Sequence, residues 1–322
     1  MTENTTTTLS QNAMLIRLTT KFWSGIKADK RLRGDLAEDK NAESDSLHVS
    51  KHLVGKNANK YFRRIINQVR NNVYYPLTLP WDDNTSDGDG KVVSGWRLCP
   101  NREFDRVWKA LEDAKTEFYK EVDAFCDEYP QLVEDAKLHL GEAYDPDDYP
   151  HVEDIRSKFK FDIEPQVIPD TGNSRDIRLN VSASVQRKIE EATESRIRKN
   201  VANVFQTTVE ALVEQVEHIA DKLNNYDSDK VFFKDSSFDK LRQALDVLPS
   251  INADILGNDP FINQSHAELV GALAKINDVS SLRGDGELEE TKRKSVAEDL
   301  TQAIDPIKDG ILGKLGGNDD SR

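Results

Sequence analysis

The chain has 322 residues, 37% of them apolar and 32% charged, with a formal net charge of −14. That length can bury a core without a disulfide or metal staple. The carboxylate surplus opposes indiscriminate binding to nucleic acid or anionic lipid. Cys99 and Cys126 stand outside any CxxC pair and read as reduced thiols. Residues 1–12 lack the basic and apolar regions of a signal peptide, and no apolar run is long enough to span a bilayer. The expectation is a soluble, cytoplasmic protein.

In chain order, residues 1–13 read as a disordered, Thr-rich tail. Residues 14–23, MLIRLTTKFW, are rich in β-branched and aromatic side chains and predict a strand that stops at Ser24-Gly25. A short helix is expected over 27–36 and a polar loop over 38–50. Tyr61, Phe62, Ile65, Ile66 and Val69 recur at helical spacing, which predicts a helix over 57–71. The two prolines of 74–81 argue against helix there. With residues 92–98 that stretch forms two extended arms about the loop 82–90. Asn101 is placed to cap an amphipathic helix through Phe125. Pro130 is expected to end it and to open a second helix that Gly141 stops. A short helix over 152–159 and strands over 161–168 and 176–180, turning at Asp170–Asn173, come next.

Residues 182–225 contain neither proline nor glycine and predict one helix about 65 Å long. Phe205, Val209, Leu212, Val216, Ile219 and Leu223 alternate by four and three, an a/d seam. Ile189, Thr193, Ile197 and Val201 run by fours, which rotates the stripe around the helix. An intramolecular partner for the seam is favoured over a homo-oligomer through 182–225. Shorter helices are expected over 238–248, 264–276 and 288–304, broken at 257–260 and 283–286. The fold class is therefore mainly helical α+β. It combines an α+β domain over 14–181, a helical domain over 182–305 and a flexible tail over 306–322.

Charge is segregated. Residues 14–75 carry 13 Lys/Arg against 6 Asp/Glu, and residues 110–155 carry 3 against 15. The two segments could pair with each other or face separate partners. Lys21, Lys27, Lys30, Arg31, Lys60, Arg63 and Arg64 alternate with Phe22, Trp23, Tyr61 and Phe62, a combination that suits a single nucleic-acid strand. The competing reading is an ordinary solvated face over a core.

Catalytic patterns are weak. The tail GILGKLG lacks the spacing of a phosphate loop. His48 and His52 could share a helix face as metal ligands but lack a third, so no metal is expected. The acidic loops 82–90 and 145–148 miss the features of an EF-hand and of an acid–base pair. No cofactor motif occurs, and none is expected to bind.

Some stretches resemble a family catalogued as domain of unknown function 3150. They are Leu15-Ile16-Arg17-Leu18, Trp23-Ser24-Gly25 with Lys27-Ala28-Asp29-Lys30, Tyr75 through Trp81-Asp82-Asp83, Gly95-Trp96-Arg97-Leu98-Cys99-Pro100, Glu128-Tyr129-Pro130, Asp148-Tyr149-Pro150 and Phe159-Lys160-Phe161-Asp162. The likeness covers about residues 14–248, with residues 84–94 as an insertion. It implies a protein of bacteria, their phages or integrative elements. Relatives lie near recombination genes or genes for a MoxR-like ATPase and a von Willebrand A-type partner. It implies no activity and transfers no catalytic residue.

The leading expectation is thus a non-enzymatic adaptor that presents helical faces to a protein partner. The alternative is a single-stranded DNA-binding accessory of recombination or replication. A third reading, an unfamiliar enzyme using Asp82, Asp83 and Arg97 beside Trp81 and Trp96, competes with a purely structural role for those residues and for Trp23.

Overall fold

The computed structural model describes residues 9–55, 57–81, 95–168, 183–226, 235–254, 258–276, 278–284 and 286–309. The expected strand over 176–180 with its turn, the loop 82–90, the first eight residues and the tail 310–322 lie outside these.

The elements in order are β1 (Ala13–Lys21), β2 (Ile26–Ala28), α1 (Lys30–Asp39), β3 (Ser50–His52), α2 (Lys60–Val69), β4 (Leu79–Pro80) and β5 (Arg97–Pro100). Then come α3 (Asn101–Leu140), α4 (Val152–Ile155), β6 (Lys160–Val167), α5 (Ala183–Asn224), α6 (Asp235–Asp254), α7 (Pro260–Ala274) and α8 (Glu287–Ala303). One sheet has the order β4-β5-β1-β6, and β2 and β3 form a separate antiparallel ribbon. β1 pairs antiparallel with β5, Ala13 opposite Pro100 and Ile16 opposite Arg97. β5 pairs in turn with β4, Leu79 opposite Leu98. The protein is mainly helical α+β, as its patterning dictates.

Contacts gather into two compact units, neither a single stretch of chain. One takes in the described residues of Met1–Arg17, Tyr75–Asp105 and Pro165–Arg322, the other those of Leu18–Tyr74 and Arg106–Glu164.

In the first unit α5 packs with α6 and α8, and α7 packs with α6 and α8. Val209, Leu212, Val216, Ile219 and Leu223 join Phe238, Leu241, Leu245, Leu269, Leu273, Ala297 and Leu300 in its core. The a/d seam therefore packs within the chain. Two buried polar groups lock the connections. Asn252 Nδ2 donates to Asp259 O and Asn263 Oδ1, both at 2.9 Å. Asn252 Oδ1 accepts from Asp259 N at 2.8 Å. Asp259 in turn caps α7. Arg293 donates to Leu282 O and Gly284 O at 3.0 and 2.7 Å and lies 4.3 Å from the Tyr226 ring centroid. Both groups are buried and satisfied, so they fix the path of the chain at low cost.

The second unit is organised around aromatic rings. Phe62 sits 5.4 Å from Phe118, 5.9 Å from Phe125 and 4.9 Å from Phe159. Trp23 meets Phe125 and Tyr129 edge-on at 6.2 and 5.7 Å. Such tilted pairs add about 0.5–1.5 kcal/mol each beyond their area. Gly25 ends the β1 arm at φ +62°, where a Cβ would meet Val54 Cγ2 at 2.8 Å.

Several expectations are corrected. Residues 26–28 form a strand, and the helix expected from 27 starts at Lys30, because Asp29 Oδ1 accepts from Leu32 N and sets the N-terminus there. Residues 38–50 contain the last helical residues, a 3₁₀ turn and the start of β3 rather than loop alone. Tyr75–Leu77 is a helical turn despite Pro76. It follows the π turn Arg70–Tyr74, and Pro76 stands in the first turn of the short helix, where a missing N–H costs little. α3 runs unbroken through Pro130, whose exposed ring meets solvent while Tyr129 and Ala136 anchor the helix on either side. Gly141, at φ +50°, follows its end. α6 likewise continues through Pro249.

Candidate functional site

α2 is strongly two-faced. Phe62, Ile65, Ile66 and Val69 turn into the core, which leaves Lys60, Tyr61, Arg63 and Arg64 outward. Spacing alone forces this, since residues three and four apart share a face. The outward guanidiniums rest on rings. Arg63 lies 5.7 Å from the Phe22 centroid, and Arg64 lies 5.1 Å from that of Tyr61, itself 51% exposed. Lys21, also exposed, precedes Phe22 in the chain. The nearest acidic partner is Glu117, 3.9 Å from Arg64, with both side chains more than half exposed. Such a pair is worth about 0–1 kcal/mol and yields readily to a competing anion. Among the described residues Lys21, Lys60 and Arg63 enter no ion pair.

Elsewhere in this unit the basic segment is tied down. Lys51 Nζ reaches Asp148 Oδ2 at 2.6 Å, Ala143 O at 2.7 Å and Asp29 Oδ2 at 3.2 Å, with all three side chains nearly buried. Lys27 binds the other oxygen of Asp148. Burial works against charge on Asp148, yet the two ammoniums outweigh it and hold the carboxyl below its usual range. Burial also disfavours the Lys51 ammonium, and Asp148 and Asp29 reverse that balance and raise it. Tyr144 and Tyr149 stack at 5.2 Å in the same loop, and burial, then Tyr144, pushes the Tyr149 hydroxyl up to about 12. Asp148 and Lys51 stay charged, and Tyr149 neutral, across neutral pH. They form a latch joining the β2–β3 ribbon to the acidic loop 143–149, with every Lys51 donor satisfied.

In the first unit, Arg97 Nε donates to Thr78 Oγ1 and its Nη2 to Thr78 O, both at 2.6 Å, with the guanidinium 5.0 Å from the Tyr75 centroid. Trp81 is buried and its N–H donates to Trp96 O at 2.9 Å. Arg17 lies 4.8 Å from the Trp96 centroid. This fastens the β4–β5 arms. Asp82 and Asp83 lie outside the described residues, and Trp23 belongs to the aromatic core of the other unit.

Of the seven cationic candidates, then, Lys60, Arg63 and Arg64 share one helix face and Lys21 adjoins it. Lys27 is engaged by Asp148. Lys30 and Arg31 are exposed at the start of α1. The segregated charge is partly paired within the second unit, through Lys27, Lys51 and Arg64. Sequence reading gave no role to Lys51, in a polar stretch without periodicity, and did not foresee Asp29 as its partner or Thr78 as the partner of Arg97. His48 precedes β3 and His52 closes it, so they share no helix face. Among the described residues no group of three or more His, Cys, Asp and Glu could hold a metal, and no helix is long and apolar enough to cross a membrane. Both cysteines are free thiols, and burial, then Glu103, raises Cys99 to about 12.

α5 offers a second outward feature. Its stripe of fours advances about 40° beyond a full turn at each step. Ile197 is 3% exposed, whereas Ile189 and Val185, two and three steps upstream, are each 44% exposed. The rotation carries the apolar stripe off the packed face. No protein-family model, curated protein or solved structure matches the chain.

Proposed function

We propose that the chain is a non-enzymatic interaction protein that docks a protein partner on the N-terminal half of α5. The phage or mobile-element setting, with an ATPase assembly as partner, is the one the resemblance implies. One observation carries the reading: a single helix uses the downstream half of its apolar stripe for its own core and leaves Val185 and Ile189 half exposed, one turn apart. Isolated exposed apolar side chains are ordinary. A pair at i and i+4 that continues a buried stripe forms the start of a helix-docking surface. The buried charged groups described above support the same reading, because Lys51, Asp148 and Arg293 each have a structural employment.

A photo-crosslinking residue placed at 185 or 189 tests this in the cell of origin. The expected result is one discrete heterologous adduct from both positions, lost in the Val185→Asp/Ile189→Asp variant. Adducts only between copies of the chain would replace the reading with self-association through this helix. An absence of adducts would remove it.

A further inference from the structure

We infer that the outward face of α2, with Lys60, Tyr61, Arg63 and Arg64, and with Lys21 beside Phe22, binds a single strand of nucleic acid. This goes beyond protein docking on α5 and does not depend on it.

The argument starts from what the face would be without a ligand. A solvated cationic face ordinarily intersperses both signs, because mixed charge lowers self-repulsion. Here the four outward residues of the first turns are Lys60, Tyr61, Arg63 and Arg64, and among the described residues the carboxylate within ion-pair distance of them is Glu117, 3.9 Å from Arg64 and more than half exposed. The lysines and arginines of the same segment that the fold needs, Lys27 and Lys51, are paired at short range. Two classes of cation therefore coexist in one unit, some held by buried carboxylates and some laid on rings.

The rings select the ligand. Arg63 over Phe22 and Arg64 over Tyr61 hold two guanidinium planes near aromatic faces without consuming their charge. A planar cation held on a ring is pre-organised to donate to phosphate oxygens and to stack against a base. Tyr61 is half exposed and offers a further stacking surface. A duplex keeps its base faces stacked and could use only the charges, whereas a single strand uses both. Three or four cations match a strand of a few nucleotides.

The test is fluorescence anisotropy of the full chain with a fluorescein-labelled fifteen-residue oligo-dT across a salt series. Binding is expected at 20 mM NaCl, with a log–log salt slope of about −2 to −3 for three to four phosphates. Lys60→Gln/Arg63→Gln/Arg64→Gln should weaken it at least about tenfold, and Tyr61→Ala alone about fivefold or more. Arg198→Gln, on the exposed side of α5, should leave it unchanged. All five altered positions are exposed, and thermal melts of each variant confirm that the fold persists. Absence of binding at 20 mM NaCl overturns the proposal, as does full binding by the triple variant. Equal affinity for a duplex of the same length, or displacement by poly-glutamate as effective as by oligo-dT, would make the face a general or protein-directed cation patch and overturns the single-strand assignment. None of these outcomes bears on crosslinking at 185 and 189.

Discussion

Lys51 donates to three oxygens, two of them carboxylate, in a nearly buried site. Removing its ammonium takes the shared cation from Asp29 and Asp148, both nearly buried, and leaves Lys27 alone on Asp148. Lys51→Ala should therefore destabilise the chain by about 3 kcal/mol, read as a lower urea midpoint. Asp148→Asn should cost less, because Asp29 and Ala143 O still receive Lys51. The pH dependence has a definite sign. Asp148 is lowered from an ordinary value of 3.8, so its contribution is complete above that value and is lost as pH falls through the depressed one. Lys51 is raised from 10.5, so its contribution is complete below that value and is lost as pH climbs beyond it. The stability gap between wild type and Asp148→Asn should be constant from pH 6 to 9 and should shrink below about pH 4. A gap that persists at pH 2 would show that the latch is not ionic. Gly25 makes a second prediction: at φ +62° with Val54 Cγ2 2.8 Å from any added Cβ, Gly25→Ala should cost about 1–3 kcal/mol. A thermal melt within 1 °C of wild type would contradict it. These residues also mark where sequence falls short. Ser24-Gly25 is readable as a stop because glycine tolerates that backbone. The meeting of Lys51 with Asp148, 97 positions on, has no local signature.

At the level of elements, legibility followed periodicity. α2, α3 and α5 announce themselves through spacings of three and four, and β1 through its β-branched run. The ribbon of β2 and β3 was missed because three-residue strands carry too few side chains to show a period of two. The prolines misled for a related reason. Pro130 and Pro249 stand inside helices whose packing on both sides outweighs the lost hydrogen bond. Pro130→Ala should accordingly raise the melting temperature, since its ring is exposed and the helix regains a bond worth up to about 3 kcal/mol. A lowered melting temperature would mean that the proline sets a bend the fold requires. Along α5 the two halves should respond oppositely to polar substitution. Val216 is fully buried, so Val216→Asp should cost at least about 4 kcal/mol, whereas Val185→Ser and Ile189→Ser should each stay within about 0.5 kcal/mol. Circular dichroism melts distinguish these outcomes. Half of this division was legible as the break between a seam of alternating fours and threes and a run of fours.

For the whole molecule, a net charge of −14 coexists with a cationic face, and the latch explains part of that contrast by pairing some of the basic segment with the acidic one. The candidate cations Lys60, Arg63 and Arg64 could be read as one helix face from spacing. Which of their neighbours are engaged could not, because the pairing runs between segments more than 100 positions apart in the case of Lys27 and Asp148. The proposed function rests on a helix divided between its own core and a partner, and native-state hydrogen exchange along α5 tests that division most directly. Amides over 209–223 should exchange only with global unfolding, and those over 185–193 through local opening at a free energy several kcal/mol lower. Equal protection along both halves would contradict the account, because the upstream half would then already be fully employed by the fold.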